Sequence, residues 1–275
     1  MTGGYTFPHI YRRRSDGRGM LYAWFAAMHT RVDVSFISCE SEGALLETVR
    51  AIHRRIAEIE RVGNCFDPAS KLSVINCSAA DGKVPVGPEL ERIIGDCLRY
   101  NSITDGLFDI TAGSPCGGTS AAHDIILPCD GTISFRRRGL RINLSGYLKG
   151  YALEQIRPII IAAGISDALV SMGNSSVMAL GGTDEGKGWP VGFGNSAVRS
   201  PVVLNGQCLT TSGNDSEQRR HIINPHDGQL VCGCRLVSIV NDCATEGEVL
   251  STAHFIEKRD KFSAFGEYLL ISHNL

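Results

Sequence analysis

An excess of charge of one sign is missing from this chain: 27 Lys and Arg stand against 29 Asp and Glu, for a net charge of −2 over 275 residues. That balance argues against a general nucleic-acid surface, which needs a basic excess. The arginine runs Arg12-Arg13-Arg14 and Arg136-Arg137-Arg138 are too short to change this and read as solvated faces or loop ends. Long apolar runs are missing too. The stretch from Met20 to Met28 is about half the length a bilayer crossing requires. No early cysteine follows an apolar run and no signal-peptide pattern is seen, so a cytoplasmic protein is expected. Cysteine is plentiful, but disulfide and zinc spacings are lacking. The ten cysteines are scattered through apolar stretches, and Cys232-Gly233-Cys234 has no second pair to complete a metal site, so reduced thiols are expected. Internal repeats, low-complexity tracts and clear linkers are absent.

What remains is an ordinary globular composition, 43% hydrophobic and 20% charged. The length is enough for a large core in one domain or two closely joined subdomains. Residues 1–25 read as an N-terminal extension and 26–275 as the folded body. Arg31 to Cys39 alternates polar and apolar residues and predicts a half-buried strand. Leu45, Val49, Ile52, Ile56 and Ile59 recur at helical spacing behind Ser41 or Glu42, and predict a helix with Arg50, Arg54, Arg55 and Glu58 mostly on its other face. Pro88 opens a second helix carrying Leu90, Ile93, Ile94, Cys97 and Leu98. A third runs from about Gly146 toward Ile161, where Pro158 is expected to kink or end it. Short β-rich pieces follow at Ala168–Met172, Trp189–Gly192, Val202–Leu204, Leu236–Asn241 and Tyr268–Ser272, and 181–188 reads as an exposed turn. Strands and helices do not alternate regularly, so the expected class is α+β with a mainly antiparallel sheet and packed helices.

Chemistry concentrates in a few segments. In Asn143-Leu144-Ser145-Gly146-Tyr147-Leu148-Lys149-Gly150, small residues sit in a polar turn before a helix. Backbone approach to an anion and a mobile positive charge would both be supplied there. Asn143 alternatively caps the turn. Glu248 and Thr252 are four apart on a predicted helix and would present a carboxylate and a hydroxyl to one hard cation such as Mg²⁺; a solvated or capping pair is the plainer alternative. Asp109 between Phe108 and Ile110 reads as an acid inside an apolar strand, which must find a partner or a function. His221 is either structural or a base, and Phe66 and Met28 are either packing or ligand contacts.

Five segments in order, Asn64–Asn76, Thr104–Ala112, Asn143–Gly150, Thr211-Ser212-Gly213 with His221-Ile222-Ile223-Asn224-Pro225, and Ala244–Ala253, resemble the signature blocks of the ApbE family, the FAD:protein FMN transferases. The resemblance spans most of the chain from about Met28 to Phe255. It implies an ApbE-like, T-fold-like architecture and a Mg²⁺-dependent transfer of FMN from FAD to a Thr or Ser hydroxyl of an acceptor protein, with release of AMP. By carry-over, Met28, Phe66, Leu107, Phe108, Asp109, Asn143, Lys149 and Ile222 contact FAD. Gly146 and Ser251 offer backbone oxygens to the metal beside Glu248 and Thr252, and His221 is the general base. The chain departs from the family pattern at Asn143 and Glu248, where the family has aspartate, at Phe66, where tyrosine is common, and at Met172–Ser176 around Asn174. Glu248 carries its carboxylate about 1.5 Å farther out than aspartate would. An FAD pyrophosphatase yielding FMN and AMP, or a non-catalytic FAD-binding protein, is the alternative activity. No copy of the acceptor signature ending in Ser/Thr-Gly/Ser-Ala-Thr is found here, so attachment in trans to another protein by a monomeric enzyme is expected.

Overall fold

The computed structural model describes residues 7–116, 119–183, 187–192, 201–214, 216, 218 and 220–274. The chain divides into two compact units, the first of Met1–Glu58, Lys149–Thr210 and Val240–Gly247, the second of Ile59–Leu148, Thr211–Ile239 and Glu248–Leu275. Among the described residues no helix is long and apolar enough to cross a membrane.

The first unit is built on antiparallel strands. β1 (His9–Arg13), β2 (Gly19–Ala27), β3 (Thr30–Ser38), β7 (Asp167–Met172), β8 (Ser176–Leu180) and the opening of β11 (Cys208–Asn214) neighbour one another in that order. Alternation sets which face is covered. Ala23, Val34 and Val170 lie in one cross-strand row, and each is fully buried. Leu21, Phe25, Val32, Phe36, Ala168 and Met172 join them on the covered face. Residues expected as an N-terminal extension therefore supply β1 and most of β2. The short-period alternation Gly19, Leu21, Ala23, Phe25 is the physical reason. β9 (Trp189–Val191) pairs antiparallel with β10 (Val202–Leu204) in the same unit; 184–186 of the expected 181–188 turn lie outside the described residues.

Two helices accompany these strands. In α1 (Glu42–Gly63), Leu45, Val49, Ile52 and Ile56 are fully buried, and Ser41 accepts the Ala44 N–H at the start. Phe7, Phe25 and His53 form a ring cluster joining β2 to α1. Each such buried aliphatic side chain contributes about 1.5–3 kcal/mol relative to an exposed one. α4 (Leu148–Ala162) runs through Pro158 instead of ending there. Ile156 and Ile160 are both fully buried, so the turns on either side of the proline are held by packing even though its missing N–H costs a hydrogen bond.

The second unit is richer in loops. α2 (Lys71–Ser78) starts at Ser70, whose hydroxyl accepts the Ser73 N–H at 3.0 Å. The sequence pattern did not predict this helix. α3 (Pro88–Ile103) opens on Pro88 as expected and buries Leu90, Ile93, Ile94 and Cys97; its Tyr100 stacks on Phe265 at 5.9 Å. β4 (Val84–Pro85), β5 (Ile125–Ile126) and β6 (Thr132–Phe135) make a small sheet with β6 in the middle. β12 (Arg235–Asn241) runs beside β13 (Leu269–Asn274), and α5 (Ala244–Ile256) presents Glu248 onward to this unit.

Candidate functional site

Four loops and the helix α5 meet within the second unit. The first loop closes α3. Thr104 donates its hydroxyl proton to the Tyr100 carbonyl at 2.8 Å and accepts the Phe108 N–H at 3.1 Å, while Asp105 and Gly106 take left-handed backbone angles of +53° and +80°. Asn101 donates to the Phe108 carbonyl at 2.9 Å, so Leu107 and Phe108 turn inward and are buried. Asp109 lies in the turn that follows, and not in a strand as the sequence suggested. Its Oδ1 accepts both the N–H and the hydroxyl of Thr111, at 2.6 and 2.7 Å. This local side-chain to backbone bonding competes with strand pairing and wins. Thr111 in turn accepts the Ala121 N–H at 2.9 Å. The other oxygen, Asp109 Oδ2, is buried with no hydrogen-bond partner among the described residues. A buried carboxylate oxygen left so costs free energy unless a ligand or water donates to it.

The second loop is the Asn143 segment, joined to the first by the Asn143 N–H, which donates to the Ile110 carbonyl at 2.7 Å. Its side chain caps its own turn, Oδ1 accepting from the Ser145 N–H at 2.9 Å, which is the plainer of the two roles open to it in the sequence. Gly146 is exposed. A Cβ added there would meet only Phe108 Cε2, at 4.0 Å, an ordinary contact. The third loop, Asn64–Ser70, leads into α2, whose Asn76 holds both backbone groups of Ile142. In this loop Phe66 is 67% exposed, an aromatic ring kept toward solvent.

The fourth loop carries His221 and Ile222. Pro225 O accepts from the Ser120 N–H at 2.8 Å, the His226 ring bonds the Asp105 carbonyl at 2.9 Å, and a Cβ on Gly113 would sit 2.7 Å from Ile223 Cδ1. All three contacts hold it against the first loop. His221 is exposed. Ile222 is buried in an apolar cluster with Val237 and Phe255, and Phe255 lies one turn beyond Thr252 on α5.

On α5, Glu248 is buried to 4% exposure and Ser251 completely, with Thr252 half-buried. Ser212 of β11 lies against the last two, its hydroxyl 2.8 Å from Ser251 Oγ and 3.2 Å from Thr252 Oγ1. Ser251 also donates to the Glu248 carbonyl at 3.2 Å. The donors here are one carboxylate, three hydroxyls and backbone oxygens. No group of three His, Cys, Asp or Glu side chains able to hold a metal exists among the described residues. An all-oxygen set with a single carboxylate fits a hard cation that shares its coordination with phosphate and water, and does not fit zinc.

Eleven of the predicted residues thus belong to the second unit: Phe66, Leu107, Phe108, Asp109, Asn143, Gly146, His221, Ile222, Glu248, Ser251 and Thr252. Met28 and Lys149 belong to the first. Met28 and His29 form the two-residue turn of the β2–β3 hairpin, with φ of +49° and +56°, values rare for side-chain-bearing residues. Lys149 donates to Ser175 Oγ in the β7–β8 turn. Ser212, Asn76 and Thr111 were not singled out from the sequence as site residues. Each sits inside or beside a signature block, but its role depends on a hydrogen bond that no block displays.

The family model for the ApbE family matches residues 28–117 and 118–270. An FAD:protein FMN transferase of Klebsiella pneumoniae is 33% identical over 262 residues, covering 82% of this chain and 72% of that protein. The FAD:protein FMN transferase of Escherichia coli K12 is 25% identical over 223 residues, covering 67% of this chain and 63% of its own length. In three dimensions the flavin transferase ApbE from Vibrio cholerae superposes with a TM-score of 0.76 at 17% identity, over 90% of each chain. The apo flavinyl transferase ApbE of Pseudomonas stutzeri superposes at 0.78 and 15% identity, over 93% of this chain and 94% of that one. These structural likenesses establish a shared α+β fold.

Proposed function

The chain belongs to the ApbE family, and from that premise we propose that it transfers FMN from FAD to a Ser or Thr hydroxyl of an acceptor protein, depends on Mg²⁺ and releases AMP. The observation that carries this reading is a set of contacts within the second unit, which holds the larger part of every signature block, between residues in the blocks or beside them. Asn76 binds Ile142, Asn143 binds Ile110, Pro225 binds Ser120, Ile222 packs on Phe255, and Ser212 binds Ser251 and Thr252.

In this reading Glu248, the Thr252 hydroxyl and the Ser251 and Gly146 carbonyls would hold the magnesium ion. A metal bound there would supply charge neutralisation to a diphosphate and a departing phosphate, a contribution of several kcal/mol. The rest falls to the chain itself. Gly146, bare of a side chain and exposed, lets a phosphate approach the backbone. Asp109 Oδ2 offers an acceptor to a donor on the flavin or ribose, and the Phe66 ring offers a stacking face. His221 takes the proton from the acceptor hydroxyl as its oxygen bonds the FMN-side phosphorus. The bond from that phosphorus to the bridging oxygen breaks, and AMP leaves with the oxygen. A positioned base adds about 10²–10⁴-fold to such a step.

The test is incubation with FAD, with and without Mg²⁺, and a peptide ending in Ser/Thr-Gly/Ser-Ala-Thr, followed by chromatography and mass spectrometry. A peptide heavier by FMN with stoichiometric AMP, only when Mg²⁺ is present, is the expected result. AMP with free FMN and an unmodified peptide would make the protein a pyrophosphatase. FAD bound but intact would make it a binding protein.

A further inference from the structure

Three hydroxyls, those of Ser251, Ser212 and Thr252, are in contact in series at α5. The Glu248 carbonyl can only accept, so in its 3.2 Å contact with Ser251 the hydroxyl of Ser251 is the donor. Ser251 then has no proton for Ser212, and the 2.8 Å contact between them requires Ser212 to be the donor. With its proton committed, Ser212 can only accept at its 3.2 Å contact with Thr252. Thr252 is therefore the donor there. All members lie in one unit, with Ser251 fully buried, Ser212 at 9% exposure and Thr252 half-buried.

We infer that Ser212 is a positioning residue whose hydroxyl, held by Ser251, draws the Thr252 hydroxyl proton inward and leaves the lone pairs of Thr252 Oγ1 turned outward as ligands for the cation. The inference rests on the reading of Thr252 and Glu248 as metal ligands; it adds Ser212, which touches neither metal nor substrate, and gives the Ser251 hydroxyl a role apart from its carbonyl. A hydroxyl is a usable ligand only when its proton points away from the cation. A threonine on a helix left to itself has several rotamers and acceptors to choose from. The chain of three hydroxyls removes that choice. Removing Ser212 frees the Thr252 proton to turn toward the cation. Removing Ser251 frees the Ser212 proton to donate to Thr252 instead, reversing the order. Either loss should weaken metal binding by about 10–100-fold, the range seen when partners behind a ligand are lost.

The experiment titrates Mn²⁺, counted by the paramagnetic resonance of the free ion, into the FAD-loaded full chain, with the thermal melting temperature of each variant measured alongside. The expected results are one saturable site lost in Glu248→Ala, weakened about 10–100-fold in Ser212→Ala and in Ser251→Ala, and no weaker in the double variant than in either single one, because both act through one chain. Ser212→Thr, which keeps the hydroxyl, should bind within about threefold of the parent. Wild-type binding in Glu248→Ala would overturn the metal site itself. Loss in Glu248→Ala with wild-type binding in Ser212→Ala, additive losses in the double variant, or loss in Ser212→Thr at an unchanged melting temperature would each overturn the hydroxyl chain alone.

Discussion

The side-chain amide of Asn76 pairs with both backbone groups of Ile142, donating from Nδ2 to the carbonyl at 2.9 Å and accepting the N–H on Oδ1 at 2.8 Å. One side chain thus completes the hydrogen bonding of a residue that is fully buried, 66 positions away. Asn143, the next residue, begins the loop that carries Gly146.

Asn76→Ala should leave two buried backbone groups unpaired. At about 1–3 kcal/mol for each unsatisfied group, the melting temperature should fall by several degrees, and FAD affinity should fall with it as the 143–146 turn loosens. Asn76→Asp keeps the acceptor and loses the donor, so its melting temperature should lie between those of the parent and Asn76→Ala. Calorimetry with a flavin fluorescence titration reads both quantities.

Glu248→Ala should reduce Mg²⁺-dependent AMP release by at least about 10²-fold, since the lost charge stabilisation is of order several kcal/mol. Glu248→Gln should do the same without changing size. Glu248→Asp should retain measurable activity with a raised Mg²⁺ requirement, because the carboxylate is kept but withdrawn by about 1.5 Å. AMP chromatography over a magnesium series distinguishes these outcomes, and full activity in Glu248→Gln would remove Glu248 from the site.

His221→Ala should lower the transfer rate by about 10²–10⁴-fold while leaving FAD affinity within about threefold of the parent. His221 is exposed, so the substitution removes no buried packing. Single-turnover transfer to the acceptor peptide gives the rate, and equilibrium dialysis gives the affinity. A loss of affinity with an unchanged rate would make His221 a binding residue instead of a base.

Two glycines should respond in opposite ways. A Cβ at Gly247 would meet Thr210 Oγ1 at 2.3 Å and Asn241 Oδ1 at 3.1 Å, so Gly247→Ala should cost about 1–3 kcal/mol of stability. A Cβ at Gly146 meets nothing nearer than 4.0 Å, so Gly146→Ala should melt like the parent yet bind FAD more weakly. If Gly146→Ala binds FAD normally, the space over that glycine is not used by the ligand.

Burial pushes the Cys208 thiol up from 9.0 to about 12, outweighing the Arg157 guanidinium that bonds its sulfur at 3.2 Å. A group whose folded pKa is raised stabilises the fold fully below its unfolded pKa and loses that contribution as pH climbs toward the folded one. The loss from this thiol should therefore run from about pH 9 to about pH 12, at up to about 1.4 kcal/mol per pH unit. Urea denaturation between pH 8 and 10.5 should show a steeper alkaline decline for the parent than for Cys208→Ala. Equal slopes would contradict the assignment.

Much of the fold was open to sequence reasoning because its signals are local. The apolar spacing of Leu45 to Ile59, the proline opening α3 and the alternation through β3 act within a few residues and survived into the structure. Where a local signal was weak or ambiguous, tertiary context decided. α2 carries little apolar periodicity and is set by its Ser70 cap and by Asn76. Asp109 between two apolar residues looked like part of a strand, but its bond to Thr111 made a turn. Pro158 looked like a helix end, but buried isoleucines on both sides carried the helix through.

The sequence by itself determined the chemistry on offer: which carboxylate, hydroxyl, glycine and imidazole are present and in which blocks. Only the tertiary structure decided which of those groups meet. Ser212 reaches Ser251 across 39 positions and Asn76 reaches Ile142 across 66. The inferred direction of the protons between hydroxyls needs both kinds of contact, the local one of Ser251 with the Glu248 carbonyl and the long-range one of Ser212 with Ser251 and Thr252. The physical reason is that composition and periodicity act over a few residues of chain, whereas a hydrogen bond requires two groups within about 3.5 Å, whatever their separation in sequence.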